Sequence, residues 1–125
     1  MMRTLRRPPP TARTLRDDLR DDVRRVMERL RNDRDLIEIY WNQLRDRSTL
    51  IDALRTSWAS LTIAQLVELE PTELAALDAF HEVVDQLRVW ASNTEVMPAT
   101  LGRRLDAAID ALEPLAAAAL ARIGA

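Results

Sequence analysis

No cysteine occurs in the 125 residues, which excludes disulfides, thiolate metal sites and cysteine nucleophiles. Lysine is absent too, so all 18 basic residues are arginine. Two glycines leave no material for a GxGxxG or Walker loop around a phosphate, and little for β-hairpin turns. A single histidine must serve any triad or metal site. The longest uncharged stretch, Thr56–Val67, contains Thr, Ser and Gln. A membrane span needs about 20 mainly apolar residues, so no segment reads as one.

What is present is a globular balance of 47% hydrophobic and 30% charged residues, rich in Ala, Leu, Arg and Asp. A chain of this length forms one domain and hides roughly two-thirds of its unfolded surface on folding. The all-arginine usage and the Ala/Leu load together fit a GC-rich genome. The distribution of the arginines is therefore more informative than their identity. The N-terminal MMRTLRRPPPTARTLR has basic residues but no apolar core, and so does not read as a secretory signal.

Residues 1–13 read as a flexible basic arm in which Pro8, Pro9 and Pro10 disfavour helix. Residues 14–125 read as a single helical domain. From Thr14 the apolar residues Leu19, Val23, Val26, Leu30, Ile37, Tyr40 and Leu44 recur at steps of four and three. This predicts one helix of about 30 residues, or two in line with a cap at Asn32–Asp35. Ser48 and Thr49 with Asp52 open the next helix, whose face carries Leu50, Ile51, Leu54, Trp58 and Leu61. Thr62 with Gln65 forms a capping-box pattern for a short helix, and Pro71 suits the first turn of another. That helix turns Leu74, Leu77, Phe80, Val84, Leu87 and Trp90 inward. A loop follows at Ser92–Pro98, then an amphipathic helix with Leu101, Leu105, Ala108, Ile109 and Leu112. Pro114 is expected to break or kink it, leaving a last short helix. No strand is indicated. The fold class is all-α, a bundle of five to seven helices with a long first helix and a Pro/Arg-rich N-terminal arm.

Catalytic chemistry finds little support. Asp78, His81 and Asp85 share a helical spacing of three and four that suits a metal, but no second histidine completes an HExxH or a di-iron set. A surface or boundary histidine beside solvating acids is the simpler reading. Ser48, Ser57, Ser60 and Ser92 have local roles as cap, helix-surface or loop residues. The chain is expected to be a non-enzyme with no catalytic residue, no cofactor or metal and no small-molecule substrate.

Charge is unevenly placed. Residues 1–34 hold 11 Arg against 6 acids, and residues 35–125 hold 7 Arg against 14 acids. Arg3, Arg6, Arg7, Arg13 and Arg16 precede any acid, which makes them candidate contacts for an anionic partner. Leu5 alone offers too little apolar area for a membrane surface. Nucleic acid would be held through its backbone only, because no aromatics interleave the arginines. An unbroken helix from Thr14 to Arg45 would span about 48 Å, against a body roughly 35–40 Å across. Its overhanging seam then calls for cover from a protein partner or a second copy. The expected interface is Leu19, Val23, Val26 and Leu30, with Trp41 as an anchor off the seam. The expectation is a cytoplasmic protein–protein interaction or assembly subunit that oligomerises through its first helix; the alternative is a sequence-indifferent nucleic-acid-binding subunit.

Overall fold

A computed structural model describes residues 14–94 and 101–124. Among them run six α-helices and one 3₁₀ turn, with no strand: α1 (Leu15–Asn32), α2 (Arg34–Gln43), α3 (Ser48–Ala53), the 3₁₀ turn (Trp58–Ser60), α4 (Ile63–Leu66), α5 (Pro71–Asn93) and α6 (Leu101–Ile123). The all-α bundle expected from periodicity is the fold observed. The arm, with Arg3, Arg6, Arg7 and Arg13, lies outside the described residues, as does most of the Ser92–Pro98 loop.

Local chemistry sets the helix boundaries. Thr14 caps α1, its hydroxyl accepting the Asp17 N–H at 3.1 Å. The helix stops at Asp33, whose ψ of 12° leaves the α region, and α2 begins at once. The periodic run is thus two helices in line, and the junction is Asp33 itself. At the end of α2, Arg45 turns left-handed at φ 53°, and the Asp46 N–H reaches back to the Tyr40 carbonyl at 3.0 Å. The Asp46 carboxylate then accepts from the Ser48 N–H and hydroxyl at 2.8 and 2.6 Å, so α3 is started by Asp46 rather than by Ser48. That helix ends at Ala53; Trp58 and Leu61 belong to the irregular stretch behind it. The Thr62–Gln65 capping box forms as its spacing predicts, and Pro71 occupies the first turn of α5.

Pro114 does not end its helix. α6 runs unbroken through it for 23 residues. Proline removes one donor and crowds the preceding turn. Here both Pro114 and Asp110, the residue one turn back, are exposed, so water can serve the orphaned carbonyl. Leu105, Leu112, Ala116, Ala119 and Ile123 on the opposite face are all buried, and that packing holds the helix together across the defect.

The unbroken α6 is the organising element. It lies antiparallel to α1 and α2 and also packs along α5. Arg20 donates to the Ile123 carbonyl at one end, Arg31 pairs with Glu113 in the middle, and Arg34 reaches Asp106 at 2.6 Å and the Gly102 carbonyl at 3.2 Å at the other. Gly102 allows this approach, because a Cβ there would collide with the Glu38 carboxylate and lie 3.0 Å from the Arg34 guanidinium. A helix of 23 residues is about 34 Å long, and α1, with 18, about 27 Å. The seam of α1 is therefore fully spanned.

Candidate protein-docking face

Leu19, Val23, Val26 and Leu30, the residues expected to face a partner, are all 0% exposed within their own chain. The expected interface on the first helix is thus corrected: the break at Asp33 shortens the helix, and α6 supplies the cover. Trp41 is corrected with it. It too is 0% exposed, stacked on Trp90 at 5.2 Å and 11°, with the Arg104 guanidinium 4.3 Å above the Trp90 ring. This stack ties α2, α5 and α6 together.

Arg16 is not available to an external anion either. Its Nε donates to Glu73 Oε2 at 2.8 Å, and its Nη2 donates to Glu73 Oε1 at 2.7 Å and to the Glu68 carbonyl at 3.1 Å. Glu73 is 5% exposed and also accepts the Glu70 N–H at 2.7 Å, closing the start of α5. The Arg16 guanidinium holds its carboxyl below the usual carboxylate range, against the opposing effect of burial. Arg16 is a clasp between α1 and the α4–α5 joint.

Asp22 has a similar role that sequence reasoning missed. It is nearly buried, pairs with Arg25 at 3.1 Å, and accepts from the Ser57 N–H at 3.0 Å and hydroxyl at 2.7 Å. It pins the irregular stretch after α3 onto α1.

His81 is a core residue, 3% exposed, and not a surface or boundary one. The Trp58 indole lies flat on its ring at 4.8 Å, and Phe80 meets it edge-on at 5.1 Å. Its Nδ1 lies 3.4 Å from the Thr56 hydroxyl, and Nε2 has no hydrogen-bond partner among the described residues. Burial pushes its pKa down to about 4, against the carboxylates of Asp22 and Asp78, so the ring is neutral near pH 7. Asp78 and Asp85 stay outside on the exposed face. Among the described residues no three His, Asp or Glu side chains are placed to hold a metal ion. The signal for a buried His81 was in the sequence: it sits four residues after Leu77 and three before Val84, on the apolar stripe of α5.

The Trp58 ring leads to the surface. Covered on one face by His81, it also lines a groove of about 470 Å³ with Leu66, Pro71, Leu74, Ala75 and Asp78. Beyond it, Trp58 and Asp78 border a second depression of about 640 Å³ that reaches His81, Glu82 and Arg88. Ile63, which opens α4, is 80% exposed, and Val67, which follows its last residue Leu66, is 74% exposed. These are the two most exposed large apolar side chains among the described residues. Glu68, Asp78 and Glu82 are exposed as well. Among the described residues, Glu68, Asp78 and Glu82 join no ion pair. The face combines exposed apolar side chains, a half-buried aromatic and exposed carboxylates.

Fold and face together define an all-α helical bundle with an apolar, acid-rimmed surface groove. No family model, curated protein or solved structure matches the chain. No helix among the described residues is long and apolar enough to cross a membrane.

Proposed function

We propose that this protein is a non-enzymatic interaction subunit of the cytoplasm that docks a protein partner on the face formed by the 3₁₀ turn, α4 and the first half of α5. The observation that carries the reading is the exposure of Ile63, on the same short helix as Leu66, and of Val67, which follows it, beside the Trp58 groove that Leu66 lines. Two large aliphatic side chains in water beside a concave apolar surface gain on association what they forgo in the isolated chain. Oligomerisation through α1 has no support, since its seam is already covered. The nucleic-acid alternative loses Arg16, which is committed to Glu73.

The test is a comparison of proteins retained from the source's lysate by the wild-type chain and by an Ile63→Asp/Val67→Asp variant of equal helicity. Both sites are exposed, so the variant keeps its core. The reading predicts a defined set of proteins on the wild type that is lost from the variant. Identical sets on the two, or none on the wild type, overturn it.

A further inference from the structure

The groove beside Trp58 lies next to the point where the N-terminal arm joins the bundle. Arg16, two residues inside the first described residue, is fixed to Glu73 and to the Glu68 carbonyl. Glu73 Oε1 also receives the Glu70 N–H, and Pro71, a groove residue, follows directly. The arm therefore starts within two hydrogen bonds of the groove's rim.

Size and chemistry agree. From Pro71 to Asp78 the groove follows α5 for about 10 Å, at 1.5 Å per residue. A polyproline II segment rises about 3.1 Å per residue, so Pro8, Pro9 and Pro10 together cover about 9 Å. Three residues lie between Pro10 and Thr14, so four steps of extended chain give a reach of about 13 Å. Polyproline segments dock on grooves that pair an aromatic ring with apolar neighbours, with an arginine meeting acids at the end. Trp58, Leu66 and Leu74 provide the first element, and Asp78 and Glu82 the second. Arg3, Arg6, Arg7 and Arg13 carry the opposite charge, and the arm has no acid of its own.

We propose that the Trp58–Leu66–Leu74 groove is occupied by the arm of the same chain, with Pro8–Pro10 against the indole and Arg6 and Arg7 toward Asp78 and Glu82. This rests on the reading of that face as a docking surface and names its resident ligand. A tethered segment meets the groove at an effective concentration in the millimolar range, so an external partner must displace it or bind the exposed α4 rim alongside it.

The absence of cysteine gives a direct test in the full chain. A nitroxide is attached to Thr4→Cys, and amide signals are compared with those of the reduced label. Intramolecular docking predicts signal loss concentrated in residues 58–78 and unchanged on dilution. The Asp78→Arg variant should relieve that loss roughly threefold, and Glu82→Arg should relieve it as well, since each reverses a charge that the arm's arginines would meet. Both sites are exposed, so the variants keep the fold. Weak, even loss over the whole surface overturns the proposal. So does loss that appears only when spin-labelled chains are mixed with isotope-labelled, spin-free ones, which would place the arm on another copy. Either result leaves the Ile63→Asp/Val67→Asp comparison to decide the docking face independently.

Discussion

The imidazole of His81 lies parallel to the indole of Trp58, with ring centroids 4.8 Å apart and planes within 6°. A half-buried aromatic that lines the surface groove is thereby seated on a titratable group in the core. The arrangement works only while the ring is neutral, because a charged imidazolium would be buried with no hydrogen-bond partner on Nε2.

Stability should therefore depend on pH in a defined window. Burial lowers the folded pKa of His81 from 6.5 to about 4. Below pH 6.5 the unfolded chain takes up a proton that the folded chain refuses, so stability is complete above 6.5 and falls as pH drops toward 4. The shift corresponds to about 3 kcal/mol. Urea titrations of the wild type and of His81→Phe, which retains an aromatic ring but cannot titrate, check this. The wild type should already lose part of that stability between pH 6.5 and 5, and the variant should show a flat profile there. The carboxyls of Glu73, Asp17, Asp46 and Asp106, also lowered, act in the same direction, but only as pH falls through the ordinary carboxylate range, so the interval above pH 5 isolates His81.

The Arg16–Glu73 clasp predicts non-additive mutations. Arg16→Ala leaves the nearly buried Glu73 carboxylate with only the Glu70 N–H as donor. An uncompensated buried charge destabilises more than loss of the whole pair. The thermal midpoint of Arg16→Ala should therefore fall below that of Arg16→Ala/Glu73→Gln, where the amide keeps an acceptor for the Glu70 N–H without the charge. Equal midpoints for the two variants would contradict the clasp.

Trp41 predicts a purely internal role. Truncating a fully buried tryptophan removes its packing and its stack on Trp90, and costs about 3–5 kcal/mol. Trp41→Ala should lower the urea midpoint by the same amount at every protein concentration. A loss that shrinks on dilution would instead mark Trp41 as part of an interface between copies.

Much of this core was legible from periodicity. Leu19, Val23, Val26, Leu30 and Ile37 are all buried, as are Leu77, Phe80, Val84 and Leu87 on α5. The steps of three and four identified which side chains leave water, but they could not say what covers them. Two long-range facts decided that. The sequence left one long helix or two in line open, and the interface expectation used the unbroken one, whereas Asp33 ends it at 18 residues. Taking Pro114 as a break made the last helix too short, whereas tertiary packing carries it through. The unbroken first helix left an apolar seam bare that the fold in fact covers, with α6 supplying the cover. The exposed apolar pair was missed for the opposite reason: Ile63 and Val67 look like ordinary core residues in and after a short helix, and only the packing shows them facing water.

Pro114 is thus a site where the chain tolerates a local defect. Its neighbours on the buried face stay packed, and its exposed position means that no side-chain contact depends on the ring. Replacing it by alanine restores the N–H that can bond to the Asp110 carbonyl and removes the clash with the preceding turn. In a helix interior that exchange is worth up to about 3 kcal/mol. Part of the gain is offset, because alanine gives the unfolded chain more conformational freedom than proline does. Pro114→Ala should therefore raise stability by about 1–2 kcal/mol, read as a higher urea midpoint with an unchanged slope. Amide exchange across residues 110–118 should slow in parallel, since the defect is the point at which α6 opens most readily. An unchanged or lower midpoint would mean that the ring supports the packing of α6 on α1 in a way its exposure does not reveal.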